Sequence, residues 1–209
     1  MSKPRHDLRR RRDLLELAIF DGAPPAGAEV HRQLDELAAK EGAEAEARVR
    51  ELSALAEGRG DREAYLETHG VCGVQRFRSA GGATIYLMKV ETFPDHVNNI
   101  YLICDGGRAT LYDCGSQTAQ SQDELKRASG IVQRIYREPL GLADVKDLVI
   151  SHAHIDHFGG VGAFSGKARI HVHEFDARVL TRFEERIITA AMQLRVFLER
   201  SGLDEAARH

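Results

Sequence analysis

Asp147-Leu148-Val149-Ile150-Ser151-His152-Ala153-His154-Ile155-Asp156-His157 is the stretch that decides the fold, and the pair Gly159-Gly160 follows it closely. Its apolar first part predicts a buried strand. Three imidazoles and one carboxylate crowd its end, which is the ligand chemistry of a divalent transition metal. Side chains two apart on extended backbone project the same way, so His152 and His154 can bind one cation. The Asp156-His157 pair can reach a second; a histidine-rich surface loop is the alternative interpretation.

Length and composition predict a globular protein of one domain, or one and a half. The chain has 209 residues, of which 29% are charged and 43% hydrophobic, and its net charge is −3. That balance gives no attraction to nucleic acid or anionic membrane, and no apolar run approaches the length that spans a bilayer. Cys72, Cys104 and Cys114 lack C-x-x-C spacing and are typical of reduced thiols. We therefore expect a cytoplasmic protein without nucleic-acid or membrane partners.

Residues 1–70 show the periodicity of helices. Asp13–Phe20, Glu29–Glu57 and Arg62–Thr68 place apolar residues mostly at three- and four-residue steps, with charged residues on the other face. Gly42 and the stretch Gly58-Arg59-Gly60 punctuate the second of these runs. We expect a helical N-terminal extension packed on the domain that follows; a lid or arm that contacts substrate or a partner is the alternative. The run Arg9-Arg10-Arg11-Arg12 is interpreted as a solvated helix start rather than a phosphate site.

From residue 71 the pattern alternates between strands and helices, which predicts an α/β domain over residues 71–209. The predicted strands are Val74–Ser79, Thr84–Glu91, Asn98–Cys104, Arg108–Asp113, Val145–Ser151 and Ala168–His173. The predicted helices are Gln117–Arg137 and Glu174–Glu199. Gly106-Gly107 predicts a hairpin turn between the third and fourth strands. We expect the fifth strand to be covered on both faces because it looks apolar.

Four segments resemble, in order, the motifs of the metallo-β-lactamase superfamily. They are Phe93–Leu102, Leu111–Gly115, Ile150–Gly160 and Ile170–Glu174. The resemblance covers roughly residues 71–176 and implies an αββα sandwich with metals in the cleft between its two sheets. Within the family, a histidine at position 157 favours a resemblance to dinuclear hydrolases such as hydroxyacylglutathione hydrolase (glyoxalase II), lactonases and ribonuclease Z. The family's later ligands have no counterpart after His173, so we expect only the first half of the sandwich, in a chain that is truncated or a fragment.

The resemblance also implies roles for individual residues. The implied ligands are His152 and His154 for a first metal, and Asp156 and His157 for a second. Asp156 would also orient the attacking hydroxide, which makes it the expected catalytic residue. Asp113 would support the metal loop through a hydrogen bond. His96, in a loop that borders the cleft in the family, is a candidate for contact with substrate.

The expected cofactor is zinc, with two ions in a complete site, and iron or manganese are alternatives. The implied reaction is hydrolysis of a thioester, ester or lactone by metal-bound hydroxide. A phosphodiesterase of the ribonuclease Z kind and a non-catalytic binding module are the alternatives. We expect a small-molecule substrate, and either a homo-oligomer or a missing C-terminal half as a partner. His171 and His173 are expected to pack on their strand or face solvent, and Cys114 to be a small buried residue.

Overall fold

The protein, seen in a computed structural model, is described over residues 4–24, 27–41 and 43–201. Helices precede a mixed six-stranded sheet, and further helices lie between and after its last strands. The α/β class and the helical N-terminal region expected from the sequence are therefore confirmed. The boundary between two domains at residue 70 stays a prediction.

The N-terminal region is built from short amphipathic helices. They are α1 (Pro4–Phe20), α2 (Gly27–Glu41), α3 (Ala43–Ala56) and α4 (Arg62–Thr68). The last has its predicted bounds, because Asp61 caps it by accepting a hydrogen bond from the Ala64 amide at 3.0 Å. Two helices, α2 and α3, occupy the run predicted between residues 29 and 57, and they lie on either side of position 42, where the sequence predicts a break. Buried side chains of these helices, such as Leu34 and Leu52, belong to the same apolar core as the sheet.

The six strands lie side by side in the sheet in the same order as in the sequence. Its strands are β1 (Val74–Arg78), β2 (Thr84–Phe93), β3 (His96–Asp105), β4 (Arg108–Tyr112), β5 (Val145–Ile150) and β6 (Arg169–Val172). The first four pair antiparallel, whereas β4, β5 and β6 are parallel. Gly106 and Gly107 have φ of 54° and 78°. These values suit the tight turn predicted between β3 and β4, and they favour glycine at both positions.

The remaining helices are α5 (Ala119–Arg134), α6 (Ile155–Phe158), α7 (Glu174–Leu180) and α8 (Phe183–Arg200). The prediction of one long helix over residues 174–199 is wrong, because Arg182 leaves the helical conformation with φ −123° and ψ 25°. Phe183 then packs edge-on against Phe158, with ring centroids 4.8 Å apart. No glycine or proline marks this break, so the periodicity alone could not reveal it.

The two faces of the sheet have different surroundings. The face that packs on α5 and the N-terminal helices is buried, at residues that include Tyr86, Met88, Ile100, Leu102, Leu111 and Leu148. On the other face the side chains are exposed or half-buried, at Phe77, Ile85, Leu87, Tyr101, Ile103, Tyr112 and Val149. The prediction that β5 is covered on both faces is therefore wrong. One layered α/β unit is present, which corresponds to one half of the sandwich that the resemblance implies.

Helix α8 is the most exposed apolar element of the described chain. Its exposed large side chains are Ile187, Ile188, Met192, Leu194, Val196 and Phe197. Among the helices described here, none is long and apolar enough to cross a membrane.

Candidate metal centre

The predicted metal loop leaves the sheet at the carboxyl end of β5, beside the end of β4. Parallel strands bring these two ends to the same edge of the sheet. The Asp113 amide donates to the Val149 carbonyl at 2.8 Å, and the Cys114 amide donates to the His157 carbonyl at 2.8 Å. The segment after β4 therefore holds both the start and the end of the loop through backbone hydrogen bonds.

The glycine pair after the loop allows this close approach. A Cβ on Gly160 would lie 2.3 Å from the Cys114 carbonyl oxygen, and one on Gly159 would lie 3.1 Å from the Cα of Ser116. The Gly160 amide donates to the Gly115 carbonyl at 2.9 Å. Glycine is thus required because the two backbone segments touch.

All four predicted ligands come together in the loop. The ring centroids of His152 and His154 are 4.5 Å apart, and those of His152 and His157 are 4.1 Å apart. His157 Nε2 lies 3.4 Å from Asp156 Oδ2. Within the described chain, no three donor atoms of the loop lie within 4.8 Å of one another. The loop thus gathers four side chains without bringing three of their donor atoms around one point, and we treat them as the two pairs that the resemblance implies, His152 with His154 and Asp156 with His157.

The spacing of the second pair fits a metal ion. Two ligands at the usual distances from a tetrahedral zinc lie roughly 3.4 Å apart. Asp156 Oδ2 and His157 Nε2 already have this separation. Zinc, iron and manganese all accept an oxygen and an imidazole nitrogen as ligands, so this pair of donors gives no selectivity among the three metals.

Asp113 lies directly beneath the loop and is buried. Its Oδ1 accepts a hydrogen bond from the Ser151 amide at 2.8 Å. Its Oδ2 accepts one from the Ser151 hydroxyl and lies 2.7 Å from His157 Nδ1. The φ of Asp113 is 65°, a left-handed conformation that aspartate tolerates better than most residues and that turns the carboxylate toward the loop. The hydrogen bond expected from this residue is present.

The same contacts fix which nitrogen of each ring is available. The Ser151 hydroxyl has one hydrogen, and it gives this hydrogen to Asp113. Ser151 Oγ must therefore accept from Nδ1 of His152, which lies 2.9 Å away. His157 likewise needs a hydrogen on Nδ1 to bond Asp113. Both rings consequently keep the lone pair on Nε2, where a metal could bind.

Asp156 is half-buried at the front of the loop. Burial opposes ionisation of its carboxyl group, but hydrogen bonds from Asn98, from its own backbone amide and from His96 outweigh burial and hold its pKa below the usual value. Asp156 is therefore a carboxylate at neutral pH. The exposed ring of His96 places Nε2 3.1 Å from Asp156 Oδ2. The residue predicted to meet substrate thus lies at the rim, in contact with the predicted catalytic carboxylate.

Sequence reasoning missed three residues that hold this site. The Asn98 side chain contacts Asp156 and His157, Ser151 links Asp113 to His152, and Asp176 accepts from the Ala153 amide at 3.0 Å. Asn98 carries a signal that could have revealed it, because it is an amide on the strand face that Ile100 and Leu102 continue as apolar positions. Ser151 and Asp176 carry no such signal.

The other candidates have separate roles. His171 Nε2 lies 2.8 Å from Asp147 Oδ1, on the sheet rather than at the loop. His173 lies beyond β6 and caps α7, accepting from the Phe175 amide at 3.3 Å. Both histidines are exposed, which agrees with the expectation that they pack on their strand or face solvent. Cys114 is fully buried; burial first, and then the nearby Asp113 charge, raise its thiol pKa to about 12. It is a small buried residue, as expected.

A second group of donor atoms lies under the N-terminal helices. Asp13, Glu16 and Cys72 place donor atoms within 4.8 Å of one another. The Glu16 carboxylate, however, already accepts hydrogen bonds from Tyr65, Arg48 and the Cys72 amide. Burial also raises the pKa of the Cys72 thiol, which keeps it protonated. This group is a buried polar cluster that joins α1, α3 and α4 to the start of the sheet.

Comparisons with known proteins gave a family match and several partial structural matches. A model of the metallo-beta-lactamase superfamily matches residues 93–203. A metallo-beta-lactamase family protein from Thermus thermophilus is 27% identical with a TM-score of 0.46, over 59% of this chain and 40% of that one. The metallo-beta-lactamase FIM-1 from Pseudomonas aeruginosa, solved in a mono-zinc form, is 15% identical with a TM-score of 0.36, over 52% and 46%.

A third solved structure, the chemotaxis sensor ODP as a peroxy diiron species, is 22% identical with a TM-score of 0.36, over 51% and 41%. The chain thus spans less than half the length of each of these proteins. No curated protein matches the sequence.

Proposed function

The chain belongs to the metallo-beta-lactamase superfamily, whose members are generally metal-dependent hydrolases, and we propose that it hydrolyses a thioester, ester or lactone. The observation that carries the proposal is the 3.4 Å separation of Asp156 Oδ2 and His157 Nε2, which matches two ligands of one cation. A substrate class close to that of hydroxyacylglutathione hydrolase remains part of the proposal.

The proposed cofactor is zinc, in two ions. His152, through Nε2, and His154 would hold one ion, and Asp156 and His157 would hold the other. When bound, zinc lowers the pKa of a coordinated water from 15.7 to about 7 and polarises a carbonyl oxygen. Because each pair supplies two donors and catalytic zinc usually has three protein ligands, a partner or a further segment would complete each shell.

The residues around the two pairs would divide the remaining work. Asp113 and Ser151 bond Nδ1 of His157 and of His152, which leaves the lone pair of each ring on Nε2. Asp156, ionised at neutral pH, would orient the attacking water through its free lone pairs. His96 lies at the exposed rim, where its ring can contact the substrate while Nε2 donates to Asp156. The three cysteines are free and buried, which supports a reducing, cytoplasmic location for this chemistry. We expect a small-molecule substrate and neither nucleic acid nor membrane as a partner.

Elemental analysis and a substrate panel test this proposal. The purified chain is assayed for bound metal and for hydrolysis of a thioester, a lactone and a phosphodiester, beside His154→Ala and a control, His31→Ala. His31 is a suitable control because it lies on α2 and contacts Glu57 rather than the loop. We expect metal and hydrolysis in the wild type and the control, and a loss of both in His154→Ala.

Three other outcomes would change the assignment. A chain that binds no metal, or hydrolysis that His154→Ala leaves untouched, would contradict the proposal. Metal binding without turnover would favour the alternative of a non-catalytic binding module. Turnover confined to the phosphodiester would favour the phosphodiesterase alternative.

A further inference from the structure

The side-chain amide of Asn98 occupies the space between the second pair of donors. Its Nδ2 lies 2.8 Å from Asp156 Oδ2, 3.1 Å from His157 Nε2 and 3.2 Å from the Asp156 carbonyl oxygen. Asn98 comes from β3, far from the loop in sequence, and is only 7% exposed. Asn99, the next residue of the strand, points to the other face and is exposed.

The amide has a physical reason to be there. A carboxylate oxygen and a ring lone pair held 3.4 Å apart repel each other unless something electropositive lies between them. An amide NH₂ carries two hydrogens and donates from both. Since it can only donate, His157 Nε2 must be the acceptor, which agrees with the hydrogen on Nδ1 that Asp113 requires. Asn98 and Asp113 thus hold the His157 ring from opposite sides.

We propose that Asn98 is a positioning residue, which holds Asp156 and His157 at ligand spacing in the metal-free protein and thereby sets their affinity for a divalent cation. This inference rests on the proposed function. A ring nitrogen has a single lone pair, so Asn98 must release His157 when a cation binds. The Asp156 carboxylate and carbonyl oxygens have spare lone pairs and can keep their hydrogen bonds to the amide. Binding therefore exchanges one hydrogen bond while the donor pair stays in place.

The expected effect of Asn98→Ala is specific to one donor pair. Without the amide, Asp156 and His157 lose the group that holds them together, and we expect zinc to bind this pair about 10- to 100-fold more weakly. Among the described residues, the Asn98 side chain has hydrogen bonds to Asp156 and His157 but none to His152 or His154, so the zinc affinity of the latter two should change little. Asn99→Ala is the matched control, because it makes the same chemical change on the same strand without touching the loop.

Histidine-ring ¹⁵N NMR during a zinc titration separates the two donor pairs. The wild-type chain, Asn98→Ala and Asn99→Ala are titrated with zinc alone against a competing chelator, and circular dichroism follows their folding. We expect the His157 Nε2 signal of Asn98→Ala to respond at about 10- to 100-fold higher free zinc. Identical His157 titrations in wild type and Asn98→Ala would overturn this inference only. If zinc changes none of the histidine-ring ¹⁵N signals of the wild-type chain, the proposed function is overturned.

A second measurement does not depend on whether Asn98→Ala folds. The ring ¹⁵N shifts of the metal-free wild type report which nitrogen of His157 carries the hydrogen. We expect it on Nδ1, with Nε2 bare and accepting from Asn98. A hydrogen found mainly on Nε2 would overturn the inference, because Nε2 could then not accept from the amide.

Discussion

Replacing Asp113 with asparagine tests whether this carboxylate holds the metal loop in place. Asparagine keeps the shape of the side chain and tolerates the φ of 65° as well as aspartate does. Its oxygen can still accept from the Ser151 amide, as Oδ1 does at 2.8 Å. Its NH₂ group, however, replaces Oδ2, which lies 2.7 Å from both the Ser151 hydroxyl and His157 Nδ1. A donor then faces two donors.

The expected loss follows from these contacts. A hydrogen bond to a charged group contributes about 1.5–3 kcal/mol net, and the variant removes two. Part of this is recovered, because the Ser151 hydroxyl can rotate to accept and the His157 ring can move its hydrogen to Nε2. We therefore expect the free energy of unfolding of the metal-free chain to fall by about 2–3 kcal/mol. For a chain of this size the melting temperature should fall by roughly 4–12 °C.

Urea unfolding of the metal-free protein measures this loss. Asp123→Asn is the control: its carboxylate is 74% exposed and pairs with Lys126, so the change should stay within about 0.5 kcal/mol. A double-mutant cycle with His157→Gln should give a coupling energy of about 1 kcal/mol or more. A loss below about 0.5 kcal/mol for Asp113→Asn, or additive effects in the cycle, would refute the reasoning.

Three further predictions concern the supports of the site. Gly160→Ala should lower the free energy of unfolding in urea by about 1–3 kcal/mol, because its Cβ would overlap the Cys114 carbonyl. Gly162 has open space around it, so Gly162→Ala should cause no such loss. Equal free energies of unfolding for the two variants would contradict this. Hydrogen bonds from His171 and then Arg108 hold the pKa of Asp147 below its usual value of 3.8, so the stability it contributes is present above about pH 4 and is lost as the pH falls further. The melting-temperature difference between wild type and Asp147→Asn should therefore shrink below that pH, and a difference independent of pH would argue against the contact. Burial raises the pKa of the thiols of Cys72, Cys104 and Cys114. An aromatic disulfide reagent at about pH 8 should therefore label all three thiols in denaturant but react slowly with the native chain. Rapid labelling of the native chain would contradict their burial.

Several features could be predicted because neighbouring residues determine them. The capped helix α4, the glycine turn between β3 and β4 and the alternating strands each depend on the chemistry of a few consecutive residues. The metal loop could also be predicted in this way, since its four candidate ligands lie within six consecutive residues. Superfamily membership followed from this local pattern as well.

Other features required the tertiary structure. Periodicity could not reveal the break between α7 and α8, because the contact of Phe183 with Phe158 accompanies it and no local signal marks it. Nor could it show that one face of the sheet is left exposed, since alternation distinguishes the faces of a strand but not what packs on them.

The sequence by itself determined the class of fold and the donors of the candidate metal site, because periodicity and ligand type are properties of adjacent residues. Only the folded chain decided how those donors are held. Asn98 on β3 and Asp113 at the end of β4 reach Asp156 and His157 because strand pairing brings three distant segments to one edge of the sheet. A hydrogen bond depends on distance in space, and distance in space is set by the pairing of strands, which no short stretch of sequence contains.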